Sequence, residues 1–167
     1  MDRDGVINRA IVRDGKPYPP HNIDEVEILP GVYEALQKLR NAHYRLIVVT
    51  NQPDVARGTQ TRETVEALHK KLKSQLKLDE FRVCYHDDAD CCDCRKPKPG
   101  LLIEAAKANG IDLGASYMIG DRWRDIEAGQ RAGCKTIFID WGYGEIRPKN
   151  YSVSVNSLID AVEWILR

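Results

Sequence analysis

The chain has 167 residues, 43% of them hydrophobic, enough to bury a sizeable core in one domain spanning 1–167. Positive and negative side chains balance at 25 each, so no global field draws the molecule toward nucleic acid or an anionic membrane. No apolar run approaches the roughly 20 residues of a membrane span, and the first residues enter charged sequence at once, unlike a signal peptide. A soluble, cytoplasmic monomer is the expectation.

In chain order, Asp2-Arg3-Asp4-Gly5 comes first, with two carboxylates one residue apart and a glycine that permits a tight turn. Arg9–Asn22 reads as a loop. Pro30 opens a helix with Val32, Ala35, Leu36 and Leu39 at helical spacing. Arg45–Asn51 is a continuous apolar run, the mark of a strand buried on both faces. A second helix spans about Thr61–Leu76, and Phe81–Tyr85 makes another strand. Pro99 opens a third helix that Asn109-Gly110 closes. Strands at Tyr117–Asp121 and Thr136–Asp140 flank a helix at Trp123–Ala132, and Asn156–Leu166 forms the last helix. This alternation predicts an α/β, Rossmann-like doubly wound parallel sheet with helices on both faces. It leaves no room for a large cap.

Open sheets of this kind bind ligands beyond the carboxyl ends of their strands. Asp2, Thr50-Asn51 and Asp121 all fall at such ends. A D-x-D-G sequence can seat a hard divalent cation and a phosphate. Alone it is a weak signal, as are Thr50-Asn51-Gln52, the basic run Arg95–Lys98 and Gly120-Asp121-Arg122. Each has a plain reading as a strand end, a solvated face or a helix cap. Their shared strand-end context points instead to phosphoryl transfer. Only Met1 precedes Asp2, so the strand that should deliver this carboxylate is missing from the chain as written, which predicts a loss of stability and activity.

Cys84-x-His86 and Cys92-x-Cys94 are two pairs separated by five residues. In extended backbone each pair points to one side. Three thiolates and an imidazole complete a closed tetrahedral Zn²⁺ shell, which is structural and not catalytic. The plain alternative is a set of unligated thiols in a reducing compartment. Arg95 and Lys96 follow Cys94 directly, so the metal would fix the loop that aims them. Cys91 is spare, Cys134 reads as core, and His21, His43 and His69 read as surface or packing residues.

The segments DRDGVIN, TNQPDVARG, CDCRKPKPG and GDRWRDIEAG together resemble the haloacid dehalogenase-type phosphatases. The likeness is to the capless branch that includes the heptose-bisphosphate and histidinol-phosphate phosphatases, and it covers nearly the whole chain. The resemblance implies that Asp2 is a nucleophile forming an aspartyl-phosphate and that Asp4 is the general acid and base. It implies Mg²⁺ held by Asp2, the Asp4 backbone carbonyl and Asp121, with Asp125 in support. Thr50, Asn51, Gln52 and Lys96 would receive the phosphoryl group, and Arg57, Arg95 and Arg122 a second phosphate or sugar hydroxyls. It independently implies zinc at Cys84, His86, Cys92 and Cys94. A heptose bisphosphate cleaved at the 7-phosphate ranks ahead of histidinol phosphate. A non-catalytic zinc-stabilised phosphosugar-binding module is the third reading.

Overall fold

The computed structural model describes residues 1–167. Helix α1 (Val32–Asn41) buries Val32, Ala35, Leu36 and Leu39, one stripe of its surface. Helix α2 (Arg62–Leu76) starts where the Thr61 hydroxyl accepts from the Thr64 amide. Helix α3 (Gly100–Asn109) ends at Gly110, whose φ of +63° is the left-handed conformation that closes a helix. Helix α4 (Trp123–Ala132) has the predicted bounds, and α5 (Leu158–Ile165) is capped by Ser157.

Seven short strands accompany these helices: β1 (Ile11–Arg13), β2 (Lys16–Tyr18), β3 (Ile47–Asn51), β4 (Glu80–Cys84), β5 (Tyr117–Gly120), β6 (Lys135–Ile139) and β7 (Val153–Val155). β3 and β4 pair in parallel, and so do β5, β6 and β7. Successive side chains alternate between two cores. Val48, Ile119, Ile137 and Ile139 face α1, α2 and α5, whereas Val49, Cys84 and Met118 pack with Leu101 of α3. The sheet is therefore covered on both sides, as the apolar run of β3 predicts.

Two features depart from the sequence reading. Arg9–Asn22 is not a plain loop: it contains the antiparallel hairpin β1–β2, turning at Asp14-Gly15, where φ is +50° and +72°. Positive φ at both central residues is the hairpin turn that an Asp-Gly pair favours. The edge strand β7 was also not foreseen; three residues after a long polar stretch carry too little pattern to mark a strand.

Met1 and Asp2 lie between β3 and β5. The Met1 ammonium donates to the Ile47 carbonyl at 3.0 Å, and the Val49 amide donates to the Met1 carbonyl at 2.9 Å. The Asp2 amide donates to the Ile119 carbonyl at 2.8 Å. These two residues alone join β3–β4 to β5–β6–β7. Burial, followed by the Lys96 charge, lowers the Met1 ammonium to about 6. Beside Met1 lies an apolar cavity of about 160 Å³ walled by Ile47, Leu102, Tyr117 and Ile165.

Candidate active site

Asp2, Asp121 and Asp125 converge at the carboxyl ends of the strands. One carboxylate oxygen of each lies within 4.8 Å of the others. Asp121 directly follows β5. Asp125 sits three residues into α4's start, where its carboxylate accepts from the Arg122 amide at 3.0 Å. Gly5 has a φ of +77°, and a Cβ there would stand 1.8 Å from the Asp121 carboxylate, so only glycine lets the D-x-D-G turn pass this closely.

Lys96 binds the acids from beneath. Its ammonium is fully buried, 2.8 Å from Asp2, 2.6 Å from Asp125 and 2.8 Å from the Val49 carbonyl. Burial works against its charge, but Asp125 and Asp2 outweigh it and raise its pKa. Asn51 braces the same residue, donating to the Lys96 carbonyl at 3.0 Å and accepting from its amide at 3.1 Å.

Asp121 is treated differently. Both its carboxylate oxygens are buried without a hydrogen-bond partner. Burial pushes this carboxyl well above its ordinary range, and Asp125 and Asp2 add to the effect. A buried carboxylate with no donor is unfavourable unless a cation takes its lone pairs. An oxygen-only donor set at this position suits a hard divalent cation such as Mg²⁺.

Asp4 lies apart from the three-acid group. Its Oδ1 accepts from Arg3 Nη2 at 2.9 Å and from Asn8 at 2.9 Å. Its Oδ2 accepts from Gln52 at 3.0 Å, and Arg3 Nε bridges both oxygens at 3.1 Å. Gln52 is fully buried and donates to Thr50 Oγ1 at 2.9 Å. Thr50 and Gln52 do not line the cavity; they form the layer that holds Asp4. Asp2, Asp4, Asn51, Arg57, Arg95, Lys96, Asp121 and Arg122 do line it.

That cavity holds about 290 Å³, and only one of its 18 lining residues is hydrophobic. Seven carboxylates and six cations face it, so one divalent cation turns the wall from net negative to net positive. Arg57 pairs with Asp87 at 2.7 Å and Arg95 with Asp88 at 2.9 Å. Arg122 pairs with Glu145, and Arg124, not singled out from sequence, pairs with Asp88 at 3.1 Å. Lys16, on the unforeseen hairpin, also lines the cavity. It is the cavity cation without an ion-pair partner. The Asp14-Gly15 turn was the available signal for it.

The thiol cluster forms at the edge of this cavity. Cys84 Sγ lies 3.7 Å from Cys92 and 3.1 Å from Cys94, and Cys94 lies 3.4 Å from Cys92. His86 Nδ1 is 3.3 Å from Cys94 and 3.8 Å from Cys84. A tetrahedron with metal–sulfur bonds of about 2.3 Å has edges near 3.8 Å, so these donors fit one Zn²⁺ with slight expansion. Arg95 donates to the His86 carbonyl at 3.3 Å, tying the cavity wall to the cluster.

Comparison with known proteins bears on this geometry. Residues 93–152 match the HAD-hydrolase-like family. The D-glycero-beta-D-manno-heptose-1,7-bisphosphate 7-phosphatase of Escherichia coli K12 is 37% identical over 180 residues, covering 99% of this chain and 91% of that one. The chain belongs to the haloacid dehalogenase-like hydrolases. The enzyme of the same name from Pseudomonas aeruginosa PAO1 is 35% identical over 149 residues, covering 86% of this chain and 81% of that one. The crystal structure of the D,D-heptose 1,7-bisphosphate phosphatase of Bordetella bronchiseptica, complexed with magnesium and phosphate, superposes with a TM-score of 0.85. It is 31% identical and covers 99% of this chain and 95% of that one. As a haloacid dehalogenase-like hydrolase, the chain has the predicted parallel α/β architecture. None of its helices is long and apolar enough to cross a membrane.

Proposed function

We propose that this chain, as one domain over residues 1–167, is a Mg²⁺-dependent phosphatase that removes the 7-phosphate of D-glycero-D-manno-heptose 1,7-bisphosphate. One observation carries the reading. Lys96 holds Asp2 at 2.8 Å beside the donor-free Asp121 carboxylate, at the sheet end where an anionic substrate would arrive. Relatives named for this activity, with both the beta and the alpha anomer, support the substrate.

Asp2 and Asp121, with the Asp4 carbonyl, would hold Mg²⁺, which would supply charge neutralisation between carboxylate and phosphate. Asp2 attacks phosphorus, the ester P–O bond breaks, and Asp4 gives its proton to the departing sugar oxygen. Asp4 then takes a proton from the water that attacks the aspartyl-phosphate, releasing phosphate and restoring Asp2. Lys96 balances charge on the phosphoryl oxygens and keeps Asp2 oriented. Lys16, unpaired at the rim, meets the second phosphate. Cys84, His86, Cys92 and Cys94 would hold Zn²⁺, which would fix the loop bearing Arg95 and Lys96. All five cysteines are free, which suits a reducing compartment such as the cytoplasm.

A phosphate-release screen tests this with both heptose bisphosphate anomers, the heptose 7-phosphate and histidinol phosphate. The bisphosphate is expected to turn over fastest, and only with Mg²⁺. Preference for histidinol phosphate, or release that survives chelation, would overturn the assignment.

A further inference from the structure

His69, on α2, is a packed residue, one of the two readings that the sequence offers, and it also makes a polar contact. It is buried at 6% exposure, and its ring stacks on Phe81 of β4 with centroids 4.5 Å apart and planes 20° from parallel. Its Nε2 lies 2.7 Å from Nη1 of Arg3. Arginine has only donors, so Nε2 is the unprotonated nitrogen and accepts this bond. Burial, then the Arg3 charge, lowers its pKa to about 3, consistent with a neutral ring.

Arg3 is itself 1% exposed and turns the rest of its guanidinium to the Asp4 carboxylate, with Nη2 also donating to Gln52 at 3.2 Å. The planar fork therefore has one end fixed by a rigid ring and the other on a carboxylate. Neither Arg3 nor His69 lines the cavity.

We propose that His69 is a positioning residue for proton transfer: by accepting from Arg3 it sets the guanidinium plane, and that plane sets where Asp4 presents its carboxyl group. The inference rests on the reading of Asp4 as proton donor to the leaving oxygen. In that step the electron pair of the breaking P–O bond goes to oxygen, which takes the Asp4 proton. A misaligned Asp4 slows phosphoryl transfer to Asp2 only where the departing oxygen needs this proton, and slows the later water attack alike for every ester, so the first turnover is the step to read.

The test compares heptose 1,7-bisphosphate with p-nitrophenyl phosphate, whose phenolate leaves without protonation. His69→Phe keeps the ring stack and removes the acceptor. Its single-turnover rate of sugar release from the bisphosphate is expected to fall about tenfold, with the burst rate of phenolate release from the aryl ester within about twofold. His69→Gln, whose amide oxygen can occupy the Nε2 position, is expected to restore the ratio. His69→Asn, one methylene shorter, is expected to behave like His69→Phe and serves if the latter does not fold. Asp4→Asn should show the same selectivity in larger degree. Equal losses on both esters, or none, would reduce His69 to a packing residue and overturn the inference. If Asp4→Asn itself lacks the selectivity, the reading of Asp4 fails beneath it; absence of turnover in the wild type would instead refute the phosphatase assignment.

Discussion

The molecule carries two clusters of metal-ligating side chains, and they are built on opposite principles. In the acid cluster, Asp2 and Asp125 are held by Lys96 while Asp121 keeps both oxygens unpartnered and buried. In the thiol cluster, Cys84, His86, Cys92 and Cys94 turn on one another and leave no coordination position facing the substrate cavity. A donor set left open toward a charged cavity can act on a ligand that enters it. A closed set can only hold its own chain in place.

The sharpest way to break this comparison is to alter each cluster and ask which quantity moves. Asp121→Asn is expected to lower kcat/KM by roughly 10³-fold or more, with the fold intact by circular dichroism. Activity near wild type would show that the unpartnered carboxylate is not where the cation works. Cys84→Ser should act on stability first. Its melting temperature is expected to drop by more than about 5 °C, with loss of bound zinc by elemental analysis. KM should rise severalfold because Arg95 and Lys96 lose their anchor. A melting curve unchanged by the substitution, and by chelator on the wild type, would remove the structural role.

The layer under Asp4 offers a smaller effect with a defined sign. His69 is neutral in the folded protein down to about pH 3, whereas in the unfolded chain it takes a proton below about 6.5. Its contribution is therefore complete above pH 6.5 and is lost as pH falls through that window. The stability difference between wild type and His69→Gln should shift by about 2–3 kcal/mol against the wild type between pH 7.5 and 4.5, measured by urea unfolding. A difference constant with pH would mean that His69 protonates freely. Smallest of all is Lys16→Ala. An exposed ion pair contributes about 1 kcal/mol or less, so KM for the bisphosphate should rise roughly three- to fivefold, with the monophosphate unaffected. An equal change for both would place Lys16 away from the second phosphate.

Both clusters were legible in sequence because their donors sit at short, regular spacings. Cys84-x-His86 and Cys92-x-Cys94 announce themselves, and Asp121, just after β5, stands four residues before Asp125 in the first turn of α4. The five helices and the buried strands were legible for the same reason, since their periodicity is local. What lay hidden depends on separation. Arg3 and His69 meet across 66 residues, and nothing in a D-R-D-G sequence says that its arginine faces inward. Gln52 likewise reads as part of a substrate-contacting strand end until its amide is seen on Asp4 and Thr50. The β1–β2 hairpin was readable from Asp14-Gly15, but its strands are only three residues long and its outer face is exposed. Met1 and Asp2 belong with them. Nothing in the sequence says that these two residues bridge β3 and β5 through main-chain hydrogen bonds.

The most direct measurement is chemical trapping of residue 2. Enzyme quenched during turnover of the bisphosphate and treated with borohydride should carry homoserine in place of Asp2, read by mass spectrometry of the amino-terminal peptide. Reduction at that position alone, dependent on substrate and Mg²⁺, is the expected result. An unmodified Asp2 under steady turnover, or reduction at another carboxylate, would contradict the claim that this side chain accepts the phosphoryl group.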